Sequence, residues 1–328
     1  MAAPRIAAVI PAYNVGAHLA AVLAELPSLF TSAIVVDDAS ADDTAAIAAR
    51  CAAIDSRISI IRHERNRGVG GAMISGFRKA LADGADVIVK VDGDGQMPLE
   101  FAPRLIEPLL SGEADYAKGN RFRDFSAIRH MPAVRRLGNL GLGFLAKAAT
   151  GYWHCFDPTN GFVAIRADVL AQIPLDDVDP TYFFEISMLT HLYLIGAAIK
   201  EEPMPARYGG EPSSLSIPRV LVDFPGRLLR SFLRRLLLKN LVYDFGIESL
   251  QLLLGVPLLF VGLLYGGYEW FWYVHHNRAA PTGTIVLAAL MIIIGFQSLV
   301  SAITLDLQSV PTRPINRGPI PAPEESDR

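Results

Sequence analysis

Short apolar runs and helix-like stretches alternate through the first ninety residues. Residues 6–12, 33–38, 58–62 and 86–91 read as strands. Residues 16–29 and 70–81 read as helices, as does an Ala-rich stretch after Thr44. Such alternation predicts an α/β fold with a doubly wound, mostly parallel sheet. Beyond it, 132–150 reads as a helix, 155–165 as strand-like around a turn, and 182–195 as an amphipathic helix. Residues 203–218 are rich in loop formers.

The pattern changes near Ile217. Two segments with helical spacing follow, split by Pro225 and Gly226, and after that split Arg227, Arg230, Arg234, Arg235 and Lys239 recur at helical intervals among leucines. A basic amphipathic stretch of this kind suits a membrane interface, where each cation near an anionic leaflet is worth about 1 kcal/mol. Two uncharged runs follow, Leu250 to Tyr268 and Ile285 to Leu305, each long enough to cross a hydrocarbon core. Trp270 to Tyr273 form an aromatic belt. The expected organisation is therefore a catalytic domain over 1–216 and interface helices over 217–245. A two-helix membrane hairpin over 246–307 (about 248–273 and 284–306) and an unordered tail over 308–328 complete it. The cations before the first run, against Arg278 alone in the connection, put the catalytic domain and tail in the cytoplasm.

Composition sharpens this reading. Hydrophobic residues make up 51%, and the mean hydropathy of +0.31 reflects the C-terminal runs. A net charge of -3 supplies no global field for nucleic acid, which is not expected as a partner. Cys51 and Cys155 lie too far apart for metal-ligand spacing, and reduced thiols fit a cytosolic domain.

Polar clusters fall where the strands end, which is where ligands of such sheets bind. Pro11, Tyr13 and Asn14 end the first strand, and Asp37 and Asp38 the second. The fourth runs into Asp92-Gly93-Asp94-Gly95-Gln96. Two carboxylates and an amide on one tight turn make a hard-oxygen site suited to Mg²⁺ or Mn²⁺ carried by a diphosphate. An EF-hand is excluded, because Met97 and Pro103 stand where its glycine and bidentate glutamate belong.

Taken in order, these motifs resemble family 2 inverting glycosyltransferases of the GT-A fold, and among them the polyprenyl-phosphate sugar synthases. The resemblance covers Ile6 to about Ser214, and the two apolar runs are similar to those of the bacterial membrane-anchored members. It implies inverting transfer of a hexose-type sugar from a nucleotide diphosphate sugar to a polyprenyl phosphate, with Mg²⁺ or Mn²⁺. Membrane lipids are implied partners, and a homo-oligomer is a family-level expectation. The alternatives are a processive polysaccharide synthase and a catalytically inactive nucleotide-sugar scaffold.

The resemblance also assigns positions. Pro11, Tyr13, Asn14, Asp38, Asn66, Gly68 and Asp92 fall on the donor nucleotide side, with Gly68 and Gly70 equally suited to a tight turn. Asp92, Asp94 and Gln96 make the metal motif. Asp94, Glu185 and Asp157 are the catalytic candidates; Asp157 lies on a turn lining the sugar pocket, and Glu185 lies near the donor sugar or is structural. Arg121 faces the acceptor phosphate or makes a surface ion pair, and Arg135 or Arg136 is a second phosphate ligand. Arg207, Ser213 and Ser214 belong to a mobile segment closing over the diphosphate. Val15 departs from the family, which commonly has Glu there. Lys90, in an apolar strand, has no assigned role.

Overall fold

The structure is a computed structural model. It describes residues 3–121, 133–205, 217–316, 318 and 320, with only the backbone described for 133–140 and 217–222. Arg207, Ser213 and Ser214 therefore lie outside the described residues, as do the side chains of Arg135 and Arg136.

Seven strands form one sheet: β1 (Ile6–Ala12), β2 (Ser32–Asp37), β3 (Ile58–Arg62), β4 (Val87–Lys90), β5 (Tyr116–Asn120), β6 (Val163–Arg166) and β7 (Ile199–Pro203). Their spatial order is β3-β2-β1-β4-β6-β5-β7. β1, β2, β3 and β4 are mutually parallel, whereas β6 runs antiparallel to both β4 and β5. The predicted mostly parallel α/β fold is present. Strand structure at 155–165 is confined to Val163 and beyond, because the preceding residues form turns.

β1 and β4 are almost entirely apolar and buried because both faces of the sheet are covered. Helices α1 (Gly16–Ala24), α2 (Thr44–Ile54) and α4 (Ala102–Leu110) contribute Leu19, Ala48 and Leu105 to a core on one face. On the other lie α3 (Gly68–Ala82) and α6 (Phe184–Leu194), where Phe77 and Phe184 meet with ring centroids 6.1 Å apart. Helix α5 (Ala133–Thr150) packs on α6 in this second layer.

The chain divides into two compact units, residues 1–232 with 311–328, and residues 233–310. Helix α7 (Ile217–Leu237) is continuous, correcting the expected break at Pro225. Pro225 removes one helical hydrogen bond. Its neighbours Phe224 and Leu228 are buried against Phe183 and Ile186, and this packing holds the helix through the proline.

The tail also differs from expectation. Its proline-rich, polar sequence predicts no order, yet residues 311–316, 318 and 320 form a strap on the first unit, at the end of the sheet opposite the motif loops. The buried Asp115 carboxylate accepts N–H groups from Ala198 and Ile315, both on Oδ2 at 2.8 and 2.9 Å. Arg166 donates to Gly318 O at 3.2 Å, and Asn316 donates to Asp168 at 2.6 Å. A Cβ on Gly112 would meet Gly318 O at 2.5 Å, so only glycine admits the strap there. Ile320 packs on the main core. Such a sequence has no structure in isolation, but here buried acceptors and an apolar anchor are supplied from distant positions.

In the second unit, α8 (Ile247–His275) and α9 (Thr282–Gln308) are long and apolar enough to cross a membrane. They pack through Gly255 and Gly262 on one helix and Ala288, Gly295 and Ala302 on the other, all buried. The shared seven-residue step keeps one seam of small residues in contact. A buried ion network lies in the same unit: Arg235 grips Asp306 at 2.7 and 2.9 Å, and Lys239 bridges Glu248 at 2.9 Å and Asp306 at 3.2 Å. Arg227, in the first unit, pairs with Asp179 at 3.1 Å. At least three of the five cations assigned to lipid headgroups are thus engaged within the protein, and the interfacial charge expected from sequence is reduced.

Candidate active site

The site forms at one end of the neighbouring strands β4, β6 and β5. β6 is antiparallel to its neighbours, so its leading turn lies beside the trailing loops of β4 and β5. Asp92 to Gln96 follow β4, Arg121 follows β5, and Asp157 to Phe162 precede β6. Glu185 comes from the first turn of α6.

Lys90 is the hub. It is the last residue of β4 and 2% exposed. Its Nζ lies 2.7 Å from Asp92 Oδ1 and 3.3 Å from Glu185 Oε1. Burial works against the ammonium charge, but the two carboxylates outweigh it and hold the Lys90 pKa above its ordinary value. Gly161 completes this floor, since a Cβ there would sit 2.4 Å from Lys90 Nζ and 3.2 Å from Asp92 Oδ2.

Asp94 stands beside this cluster, half-buried. Its Oδ1 accepts the Gln96 N–H at 3.0 Å, across a turn that Gly95 makes possible at φ 74°. Burial, reinforced by the nearby Asp92 charge, holds the Asp94 carboxyl above its ordinary value. A cation would relieve both effects. Among the described residues no group of three or more His, Cys, Asp or Glu forms a cage. One or two carboxylates plus substrate phosphates is the set Mg²⁺ ordinarily takes, so the residues fit a cation arriving with a diphosphate. Such a cation would have Asp94 and Asp92 Oδ2 as the nearest carboxylate oxygens of the turn, with the exposed Gln96 at the rim.

The first-motif loop borders the same turn. A Cβ on Gly93 would meet Val15 Cγ2 at 3.1 Å and Pro11 O at 3.3 Å. Val15 therefore packs where the family commonly places Glu. Asn14 and Ala39 take left-handed backbone, at φ 54° and 61°, and join two loops. Asn14 N–H donates to Ser40 Oγ at 3.0 Å, and its Oδ1 accepts the Ala41 N–H at 2.9 Å. Tyr13 projects from this join, 51% exposed.

Other sequence candidates make their contacts within the protein. Asp38 is 3% exposed: His63 Nδ1 lies 2.6 Å from Oδ1, and the Arg67 and Gly68 N–H groups donate to its carboxylate. It thereby holds the turn carrying Asn66. Gly68 and Gly70 face protein: added Cβ atoms would meet Pro180 O at 2.6 Å and Asp179 O at 2.3 Å. Of the two roles open in the sequence, these contacts are those of the tight turn. Asp157 is fully buried and grips Arg121 through two bonds of 2.8 and 3.0 Å. The partner is buried, so this is not the surface ion pair considered for Arg121, and both Asp157 carboxylate oxygens are engaged by it.

The sequence does not single out Glu201. From β7 its Oε1 accepts the Cys155 thiol and the N–H groups of Phe156 and Asp157, while Oε2 accepts from Asn120 at 2.7 Å. It sets the turn that presents Asp157. Its only sequence signal is an acidic pair inside a short strand.

A family model described as glycosyl transferase family 2 matches residues 7–173, half of the chain. The chain belongs to glycosyl transferase family 2. This family-2 transferase is 32% identical to a UDP-N-acetylglucosamine–dolichyl-phosphate N-acetylglucosaminyltransferase of Methanococcus voltae, over 49% of the chain and 69% of that protein. It is also 32% identical to an undecaprenyl-phosphate mannosyltransferase of Micrococcus luteus, over 61% and 82%. Among solved structures, glucosyl-3-phosphoglycerate synthase from Mycobacterium tuberculosis in complex with UDP shares the fold, with 21% identity, coverage of 74% and 82%, and a TM-score of 0.51. The transferase thus has the GT-A architecture expected from its motifs.

Proposed function

We propose that this transferase moves a hexose-type sugar, with inversion, from a nucleotide diphosphate sugar to a polyprenyl phosphate at the cytoplasmic face of a membrane. The carrying observation is the meeting of Lys90, Asp92, Asp94 and Glu185 at the end of β4, in a chain that also holds two helices able to span a bilayer. The names of its relatives support the acceptor class.

Roles follow from the contacts. Asp94, with Asp92 Oδ2, holds the divalent cation that, when bound, offsets charge developing on the leaving diphosphate. Lys90 neutralises Asp92 and Glu185, which keeps two carboxylates close without mutual repulsion. The acceptor phosphate is anionic at neutral pH and needs no general base. One of its oxygens bonds to the anomeric carbon as the bond from that carbon to the diphosphate breaks. Arg121, aligned by Asp157, supplies a planar donor edge beside that path. The exposed Tyr13 offers a ring face to the nucleotide.

The test supplies radiolabelled nucleotide sugars and polyprenyl phosphate to the full chain in membranes with Mn²⁺. Lipid-extractable label that disappears in Asp94→Ala supports the proposal. Polymeric product indicates a processive synthase, and absence of any product from folded protein indicates a binding scaffold.

A further inference from the structure

His63 ties together three elements of the sheet's parallel half. It directly follows β3 and is buried, and both of its ring nitrogens have partners. Nδ1 lies 2.6 Å from Oδ1 of Asp38, at the end of β2, and Nε2 lies 2.8 Å from Ser75 Oγ, inside α3. The same carboxylate takes backbone groups as well. The Arg67 N–H donates to Oδ1 and Oδ2 at 2.9 and 3.0 Å, and the Gly68 N–H donates to Oδ2 at 2.8 Å. A carboxylate offers about four acceptor sites, and these contacts with His63, Arg67 and Gly68 use them. Asp38 therefore acts on a ligand through the turn it holds.

The hydrogen positions follow from this geometry. Backbone N–H groups already point at both Asp38 oxygens, so the carboxylate can only accept. The hydrogen in the 2.6 Å contact then belongs to His63 Nδ1. Ser75 suits either state of the other nitrogen. Its hydroxyl donates to a bare Nε2, or accepts from a protonated one and passes its own hydrogen to Gly71 O at 3.2 Å. The ring is thus gripped from both sides, with its Nδ1–H fixed on Asp38.

What this grip holds is the turn from Asn66 to Gly68. Asn66 Oδ1 accepts the Gly68 N–H at 2.9 Å, and Asn66 and Arg67 are both exposed. A second fixture lies in the residues just beyond. The Gly71 N–H donates to Pro180 O at 2.9 Å, and the backbone of Asp179 and Pro180 leaves no room for a Cβ on Gly68 or Gly70. The turn is held at both of its ends, and its two polar side chains are left to the outside.

We infer that His63 is a positioning residue for the donor, whose Nδ1–H, fixed on Asp38, sets the turn that presents Asn66 and Arg67 to the nucleotide. The inference rests on the proposed nucleotide donor.

Magic-angle-spinning NMR of the full chain in vesicles, with isotopically labelled histidine nitrogens, locates the hydrogens. The His63 signals are those that vanish in His63→Asn, out of seven histidines. Nδ1 should carry a hydrogen; a bare Nδ1 with the hydrogen on Nε2 overturns the inference whatever binds. Calorimetry then gives Kd for UDP, GDP, CDP and ADP with Mn²⁺, without turnover. His63→Leu should weaken the tightest of these about tenfold, as loss of a hydrogen bond to a charged group does. His63→Asn, whose amide can donate to Asp38, should stay within about twofold of wild type. Ser75→Ala keeps the helix and removes the hydroxyl, so it serves if His63→Leu does not fold, and should raise Kd severalfold. Equal weakening by His63→Leu and His63→Asn, or no weakening by any variant, overturns the role of His63 alone. Folded wild-type protein that binds none of the four discards the proposed donor, and this inference with it.

Discussion

Lys90 Nζ and Asp92 Oδ1 lie 2.7 Å apart, so the strand that delivers the metal motif also delivers the cation neutralising its first carboxylate. Replacing Lys90 with Met would leave Asp92 and Glu185 facing each other without compensation. Loss of one partner of a buried pair costs about 3–5 kcal/mol, and the lower end applies because the Asp92 side chain is 33% exposed. Thermal unfolding of the purified protein should register this loss, and transfer should fall at least tenfold. An unchanged melting temperature with full turnover would remove Lys90 from the account.

Gly161→Ala should act through the same cluster without touching a charge. Its Cβ would need the space 2.4 Å from Lys90 Nζ. The ammonium must then move off one of its carboxylates. Turnover should drop well below wild type with donor affinity less affected, as steady-state kinetics can distinguish.

Much of this is legible in the sequence. Parallel strands buried on both faces read as apolar runs, and the acidic residues at their ends announce the site. The lysine in β4 is visible but unassigned, because its partner Glu185 arrives from a helix 95 positions away. The Arg121–Asp157 pair is equally hidden: both residues stand out, yet only the antiparallel pairing of β5 and β6 brings their loops together. The seam of Gly255, Gly262, Ala288, Gly295 and Ala302 has a seven-residue step, but uniform hydrophobicity obscures it.

Gly295 approaches Leu259 so closely that a Cβ would lie 2.5 Å from its backbone nitrogen. Gly295→Leu should separate the two helices. Cross-linking between cysteines placed at Gly266 and Ala288, where a Cβ on 266 would lie 3.2 Å from that of Ala288, should fall in that background, while nucleotide-sugar binding by the first unit persists.

Cys155 offers a pH-dependent probe. Burial pushes its thiol up to about 12. A raised thiol contributes stability that is complete below the unfolded value near 9.0 and is lost as pH rises toward the folded one. Thiol reagents at pH 8 should therefore modify Cys51 and spare Cys155 until denaturant opens the domain. Mass spectrometry of labelled peptides reads this directly, and stability should decline between about pH 9 and 12.

Ile315→Pro should loosen the strap, because it removes the N–H that donates to the buried Asp115. Asp115 Oδ2 keeps the Ala198 N–H, so the loss is that of one hydrogen bond to a carboxylate, about 1.5–3 kcal/mol. The melting temperature of the catalytic unit should fall by a few degrees. Ile315→Ala keeps that N–H and should lower it less, which ties the effect to the backbone bond.

The same strap constrains how the polypeptide threads a bilayer. The chain enters the hairpin from α7, whose Phe224 and Leu228 are anchored in the catalytic unit, and leaves it into residues anchored by Asp115 and Arg166 of that unit. A folded body cannot be divided across a membrane, so the flanks before α8 and after α9 must share a compartment. If either helix crosses, the other must cross back.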